Sequence, residues 1–191
     1  GYDLVIQGES GLMALNGEKE QPPLKFGVAV VDLMTGMAAA QAVLAALFRR
    51  ERTGAGRFIE MALYDCGVMI TGYYGLDALK LGHDPERYGN AHPSIVPYGM
   101  YDAADGPLII TVGTNAQFDK FCRLVLHRPD IVEDERFANN VSRAKNRLAL
   151  SPVLKELILS DPRTAVLYRL TQPGTPRIYF RCLRDALASE R

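Results

Sequence analysis

The sequence predicts an α/β protein in which one parallel βαβ unit is followed by a linker and a small α+β domain. Three observations carry this reading. Residues 24–63 read as strand, helix and strand with short joins, the pattern of a βαβ unit and hence of a parallel sheet. Gly82, Pro85, Gly89, Pro93 and Pro97 then interrupt regular structure. Residues 98–160 read as a strand pair followed by helices.

In order along the chain, Tyr2 to Gln7 gives one or two apolar turns or a short strand, punctuated by Gly8, Gly11 and Gly17. Lys25 to Val31 is the first predicted strand, and Leu33 to about Arg50 the first long helix. Asp32 stands at their join. Arg49 to Arg52 suits the negative end of the helix dipole, and Gly54 supplies the left-handed stop. Arg57 to Leu63 alternates as a second strand. Tyr64 to Leu79 reads as a second helix. Tyr98 to Tyr101 and Leu108 to Val112 form a hairpin around Asp105-Gly106. Asn115 is expected to cap a helix through Leu126 that buries Phe118, Phe121, Cys122 and Val125. Ser142 to Ser160 is helical with a break at Pro152. The resulting division is 1–79, a linker or loop 80–98, a small domain 99–160, and a tail 161–191 with no predicted element.

Composition excludes several classes. Lys plus Arg equals Asp plus Glu at 22 each, so no overall field favours nucleic acid or an anionic membrane. Cys66, Cys122 and Cys182 form no C-x-x-C pair, which suggests neither zinc nor a disulfide framework and fits a reducing, cytoplasmic compartment. No charged start leads into an apolar run, so no signal peptide is expected. The most apolar stretch, Leu33 to Phe48, falls short of the ~20 residues of a membrane span and reads as a helix buried on most sides. His83, His92 and His127 are far apart, so no metal site is expected. G-x-S-x-G, P-loop and H-E-x-x-H patterns are absent.

Asp32 is the candidate catalytic residue. A carboxylate at a helix start lies near unpaired N–H groups and the positive end of the dipole. Asp is also a preferred N-cap, and capping alone would explain it. Thr35 and Gly36 leave its approach open, and the backbone N–H groups of Met34 and Thr35 could hold an oxyanion.

The motifs Gly1-Tyr2-Asp3, Ser10-Gly11-Leu12-Met13, Pro22-Pro23, Gly27-Val28-Ala29-Val30-Val31-Asp32 with Gly36, Ala45-Ala46-Leu47 and Arg52-Thr53-Gly54-Ala55-Gly56 resemble the class III CoA-transferases, or CaiB/BaiF family. Gly89-Asn90-Ala91-His92-Pro93-Ser94-Ile95-Val96-Pro97-Tyr98, Asp105-Gly106 and Asn115-Ala116-Gln117-Phe118 extend the likeness to about Leu159. The resemblance implies that Asp32 is the nucleophile that takes an acyl group and then CoA. It implies that Gly89, Asn90, Ala91 and His92 belong to a flexible loop over the active site; with the helix-start residues Met34, Thr35 and Gly36, and with Tyr2, they make up the expected CoA- and substrate-binding set. It further implies a Rossmann-like large domain, interlocked homodimers, acyl-CoA and a carboxylic acid as partners, and coenzyme A as substrate with no other cofactor. Members are about twice as long, so the resemblance is to a partial chain without the N-terminal half, with a divergent tail after Asp161. The family's 2-methylacyl-CoA racemases carry His where Tyr2 stands; a phenol is a poor general base at neutral pH, which favours transfer. A non-catalytic association module is the remaining reading, and a bare apolar face on Leu33 to Phe48 would favour it.

Overall fold

A computed structural model describes residues 1–171, the backbone of 177–179, and 181–188. The chain divides into two units, Gly1–Gly89 and Asn90–Arg191.

The first unit is helical. It comprises α1 (Asp3–Glu9), a 3-10 turn (Leu12–Leu15), α2 (Val30–Thr53), α3 (Leu63–Ile70) and α4 (Tyr73–Leu81). The Ala-, Leu- and Met-rich run of α2 favours a helix and contains no proline. Gly54, at φ 69°, ends it as expected, its N–H donating to the Arg50 carbonyl at 2.8 Å. Ile6, Leu12 and Val31 form the buried centre, with Phe26, Val30, Leu63 and Ile70 packed around them.

Both strands expected in this unit are absent, and with them the parallel sheet: among the described residues the sheet is antiparallel and lies in the second unit. Strands exist only as ladders, and the backbone groups of Leu24 and Phe26 find other partners. The Leu24 N–H donates to the Asn16 carbonyl, the Leu24 carbonyl accepts from the Asn16 side chain, and the Phe26 N–H donates to Gln7 Oε1. Residues 55–62 are irregular up to α3. The helix therefore starts at Val30, three residues earlier than expected, because the β-branched pair Val30-Val31 enters it. The predicted second helix is two, α3 and α4, separated at Thr71-Gly72.

The burial expected of α2 is also overturned. Leu33, Met37, Leu44 and Phe48 are each more than half exposed. At 24 residues, with a mean hydropathy of 1.7 over its most apolar window, α2 is long and apolar enough to cross a membrane by length and composition alone. The core helix of a soluble protein passes the same test.

The second unit holds the hairpin. Strands β1 (Tyr98–Ala103) and β2 (Gly106–Thr111) pair antiparallel from Tyr98 opposite Thr111 to Ala103 opposite Gly106. β1 buries every second residue, so Gly99, Tyr101 and Ala103 face inward. Around it run α5 (Asn115–Lys120), a π turn (Phe121–Val125), α6 (Pro129–Glu133), a 3-10 turn (Glu135–Phe137), α7 (Asn140–Lys145), α8 (Arg147–Leu159) and α9 (Arg163–Thr171). Leu150, Leu154 and Ile158 repeat every fourth residue on α8 and are buried with Leu108, Ile110, Phe118, Phe121, Cys122 and Val125. The tail supplies β3 (Arg177–Tyr179), antiparallel to β2, and α10 (Leu183–Ala188), where the sequence suggests nothing. The run 172–176 lies outside the described residues.

Three local expectations change here. Thr114, not Asn115, caps α5, in a capping box with Gln117. The helix after Ser142 breaks at Asn146, not Pro152. Pro152 is the sixth residue of α8, where it forgoes one backbone bond and the helix continues.

The hairpin turn is fastened to α9. Asp105 Oδ1 accepts the Arg163 N–H at 2.6 Å, with the Arg163 guanidinium 3.4 Å away. That backbone N–H, aided by the guanidinium, holds the Asp105 carboxyl below the usual carboxylate range. A carboxyl depressed in the folded state contributes stability above its unfolded pKa, about 4, and the contribution disappears as pH falls through the folded value. Asp105→Ala should therefore lower Tm at pH 7, and the gap from the parent should shrink toward pH 2.5, as read by circular dichroism melts.

Candidate functional site

α2 has no side-chain cap of its own. Its N-cap is Ala29, and the Val30 N–H turns back to the Val28 carbonyl at 2.8 Å. The next two donors are taken by Asp3 at the start of α1. Asp3 Oδ1 accepts the Val31 N–H at 2.8 Å and the Asp32 N–H at 3.3 Å. Asp3 Oδ2 accepts from Gln7 Nε2 at 2.6 Å, and Gln7 Oε1 accepts the Phe26 N–H at 2.9 Å. Gln7 is fully buried.

Asp32 is consequently the third residue of α2 and not its cap. The residue is exposed. Its carboxylate has no hydrogen-bond or ion-pair partner among the described residues, whereas a capping Asp would bond back to its own helix. Asp32 remains in the first turn, where the dipole favours negative charge.

Tyr2 is 84% exposed and immediately precedes Asp3, so the Asp3 carboxylate brings it near the α2 start. Met34 and Thr35 are half-buried one turn into α2, where backbone N–H groups bond within the helix. They do not supply the free oxyanion donors expected of them, because the helix begins earlier. The Thr35 hydroxyl donates to the Val31 carbonyl at 2.7 Å. Gly36 is exposed, and a Cβ there would meet nothing. Among the described residues no three His, Cys, Asp or Glu side chains converge as metal ligands.

Gly89 closes the first unit. It has φ 55°, donates its N–H to the Gly17 carbonyl at 3.1 Å, and a Cβ would fall 2.1 Å from the Glu18 carboxylate. Any other residue there would displace Glu18. Arg87 clasps the same loop, donating to the Glu18, Lys19 and Gln21 carbonyls.

Asn90, Ala91 and His92 belong to the second unit. Asn90 and Ala91 are exposed. His92 Nδ1 accepts the Ser94 and Ile95 N–H groups, each at 3.1 Å, which leaves the ring proton on Nε2. Its ring lies 5.1 Å from that of Tyr98.

The segment after His92 is held by one side of α7 and the start of α8. Asn140 donates to the Ser94 carbonyl and accepts the Val96 N–H at 3.1 Å. Arg143 donates to the carbonyls of Val96 at 2.8 Å and Phe137 at 3.2 Å, and to Asn115 Oδ1 at 3.0 Å. Arg147 donates to the His92 and Pro93 carbonyls. Arg143 is fully buried and stacks 4.2 Å over Phe118. Burial pulls its pKa down, yet a guanidinium stays charged.

Sequence reasoning missed Asp3, Gln7, Arg87, Asn140, Arg143 and Arg147. A signal existed for two groups. Asp3 and Gln7 are four apart, and Asn140, Arg143 and Arg147 are three and four apart, the spacings of one helix face.

The first turn of α2, in a two-unit α/β chain, thus presents an exposed carboxylate with no partner among the described residues. The chain matches CoA-transferase family III over residues 1–191, and it belongs to that family. The match runs through the tail, which the motifs alone leave unmatched. A succinate–glutarate CoA-transferase of Agrobacterium fabrum is 40% identical over 81% of this chain and 38% of its own length. A succinyl-CoA:glutarate CoA-transferase of Homo sapiens is 33% identical over 92% of this chain and 40% of its own. The crystal structure of a CaiB/BaiF family protein from Brucella suis superposes with a TM-score of 0.85 at 40% identity, over 99% of this chain and 50% of that one. The chain thus spans about two-fifths of the length of these curated relatives.

Arg143→Ala should destabilise the protein by about 3 kcal/mol or more, since three acceptors lose a charged donor in a buried site. Arg143→Lys should recover little, because an ammonium cannot serve that planar set. Urea unfolding followed by fluorescence measures both.

Proposed function

We propose that the protein carrying this chain moves CoA from an acyl-CoA to a carboxylic acid through a covalent intermediate on Asp32. The observation that carries the reading is the free, exposed carboxylate at the start of α2, whose capping task falls to Asp3. Family membership supports CoA transfer as the reaction class.

The Asp32 carboxylate attacks the thioester carbonyl carbon, the C–S bond breaks, and CoA thiolate leaves behind a mixed anhydride. The thiolate then attacks the aspartyl carbonyl and expels the donor acid, giving an aspartyl-CoA thioester. The acceptor carboxylate attacks that thioester, forming a second anhydride and freeing thiolate. Attack of thiolate on the acceptor's acyl carbon yields the new acyl-CoA and regenerates Asp32. Splitting the transfer this way replaces one difficult step by easier ones and moves no net proton. The named relatives act on succinate and glutarate, so we take short dicarboxylic acids as donor and acceptor.

The bare apolar side of α2 meets the condition set above for an association module, and within the catalytic reading it supports a second element of the proposal, assembly as a homodimer. Sedimentation of the full-length protein as a monomer would contradict it.

Incubation of the full-length protein with succinyl-CoA followed by hydroxylamine should leave a hydroxamate on the peptide containing Asp32, seen by mass spectrometry. Asp32→Asn should lower transfer by at least about 10³-fold, the scale on which loss of a covalent nucleophile is felt. Transfer persisting in that variant would refute the reading.

A further inference from the structure

We infer that Asp3 is a positioning residue for Asp32, acting through the backbone of the first turn of α2; this rests on the reading of Asp32 as nucleophile. The Asp3 carboxylate is shared between two directions. Oδ1 holds the amides of Val31 and Asp32, and Oδ2 holds the Gln7 side chain. Gln7 in turn holds the Phe26 amide. One relay therefore joins α1, the segment that approaches α2, and the nitrogen of the candidate nucleophile itself.

The relay admits one arrangement. Turning the Gln7 amide over would set its NH₂ against the Phe26 N–H and its oxygen against the Asp3 carboxylate. Gln7 is fully buried, so water cannot repair the mismatch. Neither end of the relay can move without the other.

Two consequences reach Asp32. Its nitrogen is bonded directly to its Cα, so fixing that amide fixes the base of the side chain. Misplacement of about 1 Å at a reacting group costs about 10²-fold in rate. Asp3 also occupies the helix-start donors that would otherwise draw the Asp32 carboxylate back into a capping bond. Asp3 itself does not attack the substrate: its two oxygens are engaged with the backbone and with Gln7.

The test uses the full-length protein, succinyl-CoA as probe, single-turnover acylation of Asp32 trapped by hydroxylamine, and amide hydrogen exchange at Val31 and Asp32. Asp3→Asn places an NH₂ against the Gln7 NH₂. It should slow acylation by about tenfold or more, lower kcat with KM little changed, and speed exchange at the two amides. Asp3→Asn combined with Gln7→Glu restores the match with donor and acceptor exchanged. The pair should recover most of the lost rate and the amide protection. A merely structural Asp3 would change the folded fraction and not the rate constant per folded molecule. Parental acylation by Asp3→Asn despite faster exchange, or no recovery in a folded double variant, overturns the inference. Absence of an Asp32 adduct in the parent protein is a different failure: it refutes the nucleophile reading, and the inference with it.

Discussion

The carboxylate of Asp3 on the first amides of α2 is the interaction from which the rest of the first unit follows. A helix start has donors with no partner inside the helix. In most helices the preceding side chain answers them, but here Ala29 stands at that place and offers nothing. The acceptor comes from α1, so the two helices are joined at their polar ends as well as through Ile6, Leu12 and Val31. The second unit repeats the device, with the Asp105 carboxylate on the first amide of α9. In both cases the helix start is set by a residue distant in sequence.

Charge is handled differently beside the hairpin. Arg143 is buried with no carboxylate against it among the described residues, held by three oxygen acceptors and the face of Phe118. Neutral acceptors spare the cost of burying a second ion, and the planar guanidinium matches several at once. With Asn140 and Arg147 it fixes the backbone from His92 to Val96. The same segment orders itself from within, because the His92 ring accepts two of the following amides. The stretch that the family resemblance marks as a loop thus enters the second unit as a shaped element.

α2 joins a polar beginning to an apolar length. Its first turn carries the exposed Asp32, while Leu33, Met37, Leu44 and Phe48 present apolar surface over the following turns. A groove of about 640 Å³ lined by Ala42, Ala45, Ala46, Arg49 and residues 57–60 lies farther along the same helix. Apolar surface of this extent on a helix marks a face that packs against something else.

Features legible from the chain alone are local or carried by order and spacing. The stop at Gly54, the hairpin around Asp105-Gly106, the buried face Phe118–Val125 and the family were all legible there, because each depends on neighbouring residues or on motifs in series. The standing of Asp32 was not. Its position alone favours a cap over a nucleophile, and the arrival of Asp3 from α1 assigns the capping elsewhere. The two misread strands share that cause: Lys25–Val31 and Arg57–Leu63 have strand-like residues, but a strand requires a partner ladder, which local pattern cannot supply. Tertiary structure decided these points because hydrogen-bond partners are shared across the chain, and a donor already taken by one residue is closed to another.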